Sequence, residues 1–314
     1  MLAAHSGTAA PVELPRYFGL LKTPASRVDL TCILLTWNSA AYVERCLRSV
    51  LADLDASGLN FELIVIDNGS ADGTLATLTR LARPELRVIP LGHNTGTTFS
   101  RNIGLRMARG EYIAVLDSDI EIHRPGTFAQ VLAFLRAHPD VGLAAPQLNF
   151  PSGRYQKTTD IFPTLTHKTR RFLALRAMEE EEGRRAGSEA PQDVDYAVSA
   201  FWMLPRSVLG GVGLLDEKIF YAPEDVDYCL RVALAGLRVV YLPAVVATHH
   251  AQEISRRKLL SRSFREHVKG LVYFWRKHGF VLGLGPVYAR IAAARQLSGS
   301  RLPTRGEPQR REAG

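Results

Sequence analysis

The chain has 314 residues, of which 46% are hydrophobic and 22% charged, and its formal net charge is +8. This is the composition of a soluble protein that buries one large core, with or without a small appendage. The chain does not begin with a secretory signal pattern, and its apolar runs fall short of the roughly 18 residues that span a bilayer. We therefore expect neither signal-directed secretion nor a transmembrane anchor.

The cysteines and the charge distribution indicate a compartment and a class of partner. Cys32, Cys46 and Cys229 lie in apolar segments without Cys-x-x-Cys spacing, which predicts reduced, buried thiols and a cytoplasmic protein. Residues 254–314 contain 14 lysines and arginines against three glutamates, whereas the remainder is mildly acidic. A basic segment of this kind predicts an anionic partner, either lipid headgroups or nucleic acid.

The first half of the chain alternates between strand and helix patterns. Residues 1–28 lack a clear period and are interpreted as an extension. The predicted strands are 28–36, 61–66, 86–91 and 111–116, and the predicted helices are 40–54, 72–81, 98–108 and 128–137. Short connections between such elements imply parallel pairing through right-handed crossovers. We predict an α/β fold with an open, mixed, mostly parallel sheet flanked by helices.

The second half is less regular, and the predicted domain, 29–253, contains a variable segment at 151–193. Regular structure resumes at 194–204, followed by a helix at 226–235 and a strand at 237–242. Residues 254–300 form a predicted basic amphipathic helical segment, and 301–314 a disordered tail. The apolar positions of this segment recur every three or four residues and are Leu260, Phe264, Val268, Leu271 and Trp275. Lysines and arginines recur on nearly the opposite side of the predicted helix. Such a stripe packs on the domain or lies on a bilayer, and both uses stay open.

Two carboxylates follow the fourth predicted strand. Asp117 and Asp119 are spaced i, i+2 at its carboxyl end, where ligands collect in open α/β sheets. Carboxylates placed this way can share Mg²⁺ or Mn²⁺, which leaves coordination positions for phosphate. The same three residues, Asp-Ser-Asp, also occur in plain turns.

Further polar residues follow the other predicted strands. Thr36 and Asn38 end the first strand and Asp67 the second, so all reach the edge that carries Asp117. Asp67 can accept a hydrogen bond from a base or ribose, although its Asn-Gly-Ser turn also suits a solvent loop that caps a helix. Asn94 and Arg101 flank a run of small residues before the fourth strand, and Arg101 could face a phosphate. Tight packing explains the small residues equally well.

A second acidic cluster and a histidine complete the candidate site. Glu224, Asp225 and Asp227 surround a predicted helix start, where negative charge is favoured without any catalytic role. Three acids exceed what a cap requires, and one carboxylate could deprotonate a hydroxyl group. His249 follows an apolar run and could complete a metal site, although a lone histidine is more often a packing or surface residue.

In this order, the motifs resemble the inverting family 2 glycosyltransferases with the A-type nucleotide-sugar fold, over about residues 29–280. The matching segments are Leu35-Thr36-Trp37-Asn38, Val65-Ile66-Asp67-Asn68-Gly69-Ser70, Asn94-x-Gly96, Leu116-Asp117-Ser118-Asp119, Gly213-x-Leu215-Asp216-Glu217 and Glu224-Asp225-x-Asp227 with Arg231. The Asp-Asn-Gly-Ser motif and the two adjacent histidines also resemble sequences in the branch of the family that contains rhamnosyltransferases of bacterial surface polysaccharide. The family usually has Gly or Ala where this chain has Thr98.

The resemblance implies a role for each matching residue. Thr36, Asn38 and Asp67 would bind the nucleoside of a nucleotide-diphosphate sugar. Asn94, Arg101 and Asp117 would also contact this donor. Asp119, Asp117 and His249 would hold Mn²⁺ or Mg²⁺, and Asp225, with Glu224 beside it, would act as the base.

The implied reaction is sugar transfer with inversion to a saccharide or lipid-linked acceptor, in cell-envelope polysaccharide or glycolipid assembly. The enzyme would be cytoplasmic, with an anionic membrane surface at the inner leaflet as a further partner. The basic segment lacks a recognisable nucleic-acid motif, so no nucleic-acid partner is expected.

Two other functions would use some of the same features. A nucleotidyltransferase that acts on a sugar phosphate has a similar sheet with metal-binding acids, but favours a Gly-rich, basic loop after the first strand. Thr36-Trp37-Asn38-Ser39-Ala40 is not such a loop. A non-catalytic module that binds anionic lipid would use the basic segment and leave both acidic clusters unexplained.

Overall fold

The structure, a computed structural model, describes residues 27–169, 189–250 and 262–299 of the chain. The predicted extension at 1–28, apart from its last two residues, and the predicted tail at 301–314 lie outside these ranges. The strands are β1 Leu30–Thr36, β2 Phe61–Asp67, β3 Leu86–Pro90, β4 Tyr112–Asp117, β5 Ile120–Glu121, β6 Val141–Asn149, β7 Thr159–Asp160, β8 Gln192–Asp193, β9 Tyr196–Ala197, β10 Phe201–Pro205 and β11 Arg238–His249. The helices are α1 Val43–Ala56, α2 Thr74–Arg80, α3 Thr97–Met107, α4 Thr127–Ala137, α5 Val208–Val212, α6 Glu224–Leu234, α7 Arg262–His278 and α8 Gly285–Leu297.

The main sheet has the order β3-β2-β1-β4-β10-β6-β11-β5, with β8 paired to β11. β1 is parallel to β2 and to β4, as the alternation of strands and helices predicts, and β6 is parallel to β11. β10 runs antiparallel between β4 and β6. The mixed, mostly parallel sheet with flanking helices is therefore confirmed. Thr36 pairs with Asp67 and Leu35 with Asp117, so these strands end side by side.

The two faces of the sheet carry separate hydrophobic cores because successive side chains of a strand point to opposite faces. Cys32 and Leu34 of β1 pack in one core with the apolar sides of α1, α2 and α4. Ile33 packs in the other core with α3, α6, α7 and α8. All three cysteines are free and buried. Among the helices in the described ranges, none is long and apolar enough to cross a membrane.

The last strand is longer than the sequence predicts. The predicted strand 237–242 and the following apolar run belong to one strand, Arg238–His249, whose register against β6 shifts between Leu242 and Val246. Pro243 lies at this shift and has no N–H group to donate to the ladder. The strand continues beyond the irregularity and carries His249 to the carboxyl edge of the sheet.

Asp53 joins helix α1 to the start of helix α4. Its side chain is only 3% exposed, and its carboxylate accepts the backbone N–H groups of Gly126, Thr127 and Phe128. These are unpaired donors of a helix start, where negative charge is also favoured. A side chain from a different helix therefore supplies the cap of α4.

We expect Asp53→Ala to lower the free energy of unfolding by about 2 kcal/mol, because three buried N–H groups lose their acceptor. Asp55→Ala is the matched control, since the Asp55 carboxylate pairs with Arg83 at the surface and such pairs contribute less than about 1 kcal/mol. Urea denaturation followed by circular dichroism measures both values. An equal loss in the two variants would contradict the capping role.

Candidate active site

The ends of β1 and β2 form one linked group of polar residues. Thr36 donates from its hydroxyl to Oδ1 of Asp67 at 2.9 Å, and both residues are fully buried. The other oxygen of Asp67 accepts the Ser70 N–H at 3.0 Å. Asn38, exposed and with φ of +50°, donates its N–H to Ser70 and accepts the Ala71 N–H at its side-chain oxygen. The structure thus brings three predicted nucleoside-binding residues together, with Asn38 as the surface member.

Asn94 lies next to this group and shapes the start of helix α3. Its side-chain oxygen accepts the Gly96 N–H at 2.9 Å and the side-chain amide of Asn68 at 3.2 Å. Gly96 has φ of +87°, and a Cβ there would lie 2.3 Å from the carbonyl oxygen of Phe220. Only glycine fits this turn. Within the described residues, Asn94 is linked to Thr36 through Asn68, whose backbone N–H donates to the Thr36 carbonyl oxygen.

Asp117, Asp119 and His249 form a candidate metal centre. Each offers a ligand atom, and these atoms lie within 4.8 Å of one another. Nε2 of His249 lies 3.3 Å from Oδ1 of Asp119, and the side chains of both residues are 12% exposed. The histidine arrives there because His249 of β11 pairs with Ile120 of β5. The pairing of β11 with β5 therefore brings together Asp119 and His249, which are 130 positions apart in the sequence.

The electrostatics of this centre fit a divalent cation. Burial raises the pKa of Asp117, Arg101 opposes this rise, and the negative charge of Asp119 adds to it. Burial lowers the pKa of His249, but the hydrogen bond and charge of Asp119 outweigh this and raise it overall. Two carboxylates and one imidazole within reach of one point are ligands that Mn²⁺ and Mg²⁺ accept. A cation there would relieve the repulsion between the two carboxylates.

Arg101 ties the candidate metal centre to the second acidic cluster. Its side chain is 2% exposed, and its terminal nitrogens lie 2.6 Å from Oδ1 of Asp117 and 2.9 Å from Oε1 of Glu224. The same two nitrogens donate to the hydroxyl and the carbonyl oxygen of Ser199. The sequence suggests that Arg101 faces a phosphate. In the structure its guanidinium instead holds two carboxylates that belong to different elements.

Glu224 and Asp225 begin helix α6 but have different surroundings. Glu224 is 6% exposed and lies beneath Arg101 and Ser199. Burial and the adjacent charge of Asp225 raise the pKa of Glu224 to about 8, against the opposing effect of Arg101. Asp225 is partly exposed, and its Oδ1 accepts the N–H of Val226 at 2.8 Å. Asp225 is therefore the acid of this pair that a substrate can reach.

Asp227 faces away from the candidate site and anchors the C-terminal helices. It is fully buried, and its carboxylate accepts hydrogen bonds from Arg231, Lys277 and His278 at 2.7–3.0 Å. Burial raises its pKa, but the bonds from His278 and Lys277 outweigh this and lower the pKa to about 2. This acid has a structural role in joining α6 to α7.

Gln156 and Ser199 belong to the site but do not stand out in the sequence. Oε1 of Gln156 lies 3.0 Å from Nδ1 of His249. An Nδ1–H that donates to Gln156 leaves the Nε2 lone pair free for a cation. Gln156 lies in the segment 151–193, which has no readable period, and Ser199 lies in the regular stretch 194–204 without belonging to a motif. The sequence therefore offers no signal for either residue.

A comparison with protein families identifies the chain. Residues 31–210 match the sequence profile described as Glycosyl transferase family 2. The chain belongs to this family. The N-acetylglucosaminyl-diphospho-decaprenol L-rhamnosyltransferase of Mycobacterium tuberculosis is 27% identical over 270 residues, which cover 79% of this chain and 85% of that protein. The succinoglycan biosynthesis protein ExoO of Rhizobium meliloti is 41% identical over 91 residues, 29% of this chain and 25% of that protein.

The match to solved structures concerns the fold. A crystal structure of GalNAc-T7 with UDP, GalNAc and Mn²⁺ superposes with a TM-score of 0.57 at 14% identity, over 86% of this chain and 55% of that one. The glycosyltransferase A-type fold is thereby established. The matches span only 25–46% of the length of some curated relatives of this family 2 glycosyltransferase.

Proposed function

We propose that this family 2 glycosyltransferase moves a sugar, a hexose or rhamnose, from a nucleotide-diphosphate donor to an acceptor hydroxyl with inversion. The observation that carries the proposal is the link through Arg101. One buried guanidinium connects a carboxylate of the candidate metal centre with the helix start that carries Asp225. Donor diphosphate and acceptor hydroxyl would then meet between these two groups.

The protein's own residues would divide the work as follows. Asp117, Asp119 and His249 would hold Mn²⁺ or Mg²⁺, which neutralises charge on a departing nucleotide diphosphate when bound. Thr36, Asn38 and Asp67, with Asn94 beside them, would position the nucleoside. Asp225 would take the acceptor proton on a carboxylate oxygen while the acceptor oxygen attacks the anomeric carbon opposite the leaving group. A single displacement of this kind inverts the anomeric configuration.

We also propose a saccharide or lipid-linked acceptor, in the assembly of bacterial cell-envelope polysaccharide or glycolipid. This rests on the rhamnosyltransferase relative, whose name specifies a diphospho-decaprenol substrate, and on the succinoglycan biosynthesis relative. The three free, buried cysteines are consistent with a reaction in the cytoplasm, at the inner leaflet if the acceptor is lipid-linked.

A thermal-shift panel of UDP-, GDP- and dTDP-sugars, each with and without Mn²⁺, tests the proposal. A donor that binds the native state raises its melting temperature, and we expect this rise to require both a nucleotide sugar and Mn²⁺. The anomeric configuration of the product, read by NMR for the donor that binds, tests inversion. A panel in which no nucleotide sugar raises the melting temperature would contradict the proposed donor class.

We expect Gln156→Leu to weaken Mn²⁺ binding by roughly tenfold or more, since the partner that orients His249 is lost. Gln147→Leu is the matched control, because Gln147 bonds Asn149 and Tyr241 rather than His249. Electron paramagnetic resonance titration of free Mn²⁺ measures both affinities. Equal affinity of the wild-type protein and Gln156→Leu would show that Gln156 does not orient the ligand.

A further inference from the structure

Helix α7 has one buried face and one exposed face. Leu271, Phe274 and His278 are 9% exposed or less, and both apolar residues belong to the core that contains α6. Val268 and Val272 are 42% and 45% exposed. The sequence pattern assigns Val268 to the same stripe as Leu271, and the structure corrects this, because Val268 is exposed whereas Leu271 is buried. The valines lie about 120° and about 160° around the helix from Phe274, the most deeply buried residue of this face.

The exposed valines share their side of the helix with cations. Arg265, Lys269 and Arg276 are exposed and lie at spacings of three or four residues from Val268 and Val272. Such spacings place side chains on one face. Lys269 reaches Glu266 at 2.9 Å, whereas Arg265 and Arg276 form no ion pair with other residues in the described ranges. The cations are thus interleaved with the exposed valines rather than opposite to them.

Two neighbouring segments extend this surface with further apolar side chains. Val281 and Leu282, just after α7, are 43% and 72% exposed, and Leu165 is 47% exposed. Leu165 donates its N–H to the carbonyl oxygen of Val281 at 3.0 Å. Trp275 of α7 donates from its indole to the carbonyl oxygen of Pro163 at 2.8 Å. The α7 face, as we name it, comprises Leu165, Arg265, Val268, Lys269, Val272, Arg276, Val281 and Leu282.

We propose that the α7 face docks the protein on an anionic phospholipid bilayer. Exposed valines and leucines lose water contact when they enter the headgroup region, and neighbouring cations gain from anionic headgroups. A nucleic acid would use the cations but would leave five aliphatic side chains without an apolar environment. An anionic lipid surface accommodates both the aliphatic side chains and the cations of this face.

The contacts of α7 connect this face to the candidate active site. A Cβ at Gly270 would lie 2.1 Å from the carbonyl oxygen of Ala222, so α7 packs directly on the segment that leads to Glu224. Lys277 and His278 bond the Asp227 carboxylate on α6. A bilayer on the outer side of α7 would therefore hold Asp225 at a fixed height above the lipid.

Flotation of the full chain with vesicles tests the docking directly and does not depend on the proposed transfer reaction. We expect binding to phosphatidylcholine vesicles that contain phosphatidylglycerol and much weaker binding to phosphatidylcholine alone. The variant Arg265→Gln, Lys269→Gln, Arg276→Gln should partition roughly a hundredfold more weakly. The variant Val272→Gln, Leu282→Gln should lose at least about tenfold.

Matched controls come from the other side of the sheet and from α8. Arg48→Gln, Arg80→Gln, Arg136→Gln removes the same charge from α1, α2 and α4, where these side chains are 48–66% exposed. Leu297→Gln removes an apolar side chain that is 90% exposed. Both controls should bind like the wild-type protein, and thermal unfolding verifies that every variant folds.

Three results would overturn the proposal. They are the absence of wild-type binding to anionic vesicles, wild-type-like binding by both α7 variants, or an equal loss in the charge control. A concentration-dependent dimer in sedimentation that the α7 variants abolish, without vesicle binding, would assign the face to self-association instead. A failed donor screen together with intact vesicle binding would count against the transferase proposal alone.

Discussion

Asp119→Ala is expected to abolish detectable Mn²⁺ binding and to lower turnover by roughly 10³-fold or more. Asp119 is a member of the cluster whose ligand atoms lie within 4.8 Å, and its Oδ1 lies 3.3 Å from His249. Without it, Asp117 and His249 would remain, and Asp117 is already engaged by Arg101. Calorimetric titration of Mn²⁺ with and without the donor from the thermal-shift panel measures the loss.

Asp140→Ala is the matched control for this change. Its carboxylate bonds Arg238 at 2.9 Å, and it precedes β6 at the amino edge of the sheet, opposite the candidate site. Metal affinity and turnover should therefore be preserved. Turnover by Asp119→Ala that matches the wild-type rate and still depends on Mn²⁺ would place the metal centre elsewhere.

Asp225→Asn is expected to reduce kcat by about 10²-fold or more while donor affinity stays the same, because the change removes a proton acceptor and keeps the shape. The melting temperature should also stay the same, since Asp225 is partly exposed. Single-turnover kinetics and donor titration separate the two effects.

The same substitution two residues further along provides the comparison. Asp227→Asn removes the buried carboxylate that accepts from Arg231, Lys277 and His278, so it should lower stability by about 3 kcal/mol. If Asp225→Asn destabilised the protein in the same way and lost no activity per folded molecule, the base would have to be sought at Glu224.

The sequence predicts the first four strands of the sheet well because their signals are local. Apolar runs, short connections and turn residues define β1, β2, β3 and β4, and the structure confirms their parallel pairing. The same logic places Asp67 and Asp117 at one edge. The carboxyl ends of neighbouring parallel strands lie at the same edge of a sheet, so this placement does not require the contacts between distant segments to be known.

The remainder of the site depends on contacts between distant segments. His249 reaches Asp119 only through the pairing of β11 with β5, a strand of two residues. Gln156 meets His249 from a segment without periodicity. Helix α3 packs on β1 and β2, and this position buries Arg101 between the acid at the end of β4 and the acid at the start of α6. The resemblance to the family implies that His249 joins Asp119, but the sequence gives no sign that Gln156 contacts His249 or that Arg101 contacts Glu224.

The departure at Thr98 has a structural reason. Its hydroxyl donates to the carbonyl oxygen of Ile219 at 2.6 Å, and the residue is 1% exposed. Glycine or alanine at this position could not make that bond. The substitution therefore adds a tie between α3 and the segment before α6, instead of a contact with a donor.

Other residues of α3 strengthen this tie. Thr97 donates its N–H to the carbonyl oxygen of Phe220, and Asn102 bonds both the backbone and the side chain of the segment at Leu215 and Glu217. The connection that leads to Asp225 is thus held by α3, a helix of the first half of the chain. For evolution and engineering, the residues that fix the position of Asp225 are therefore different from the residues of the segment 151–193. Under the proposed roles, residues of the segment 151–193 other than Gln156 could change with the acceptor while Asp225 keeps its position relative to the proposed donor site.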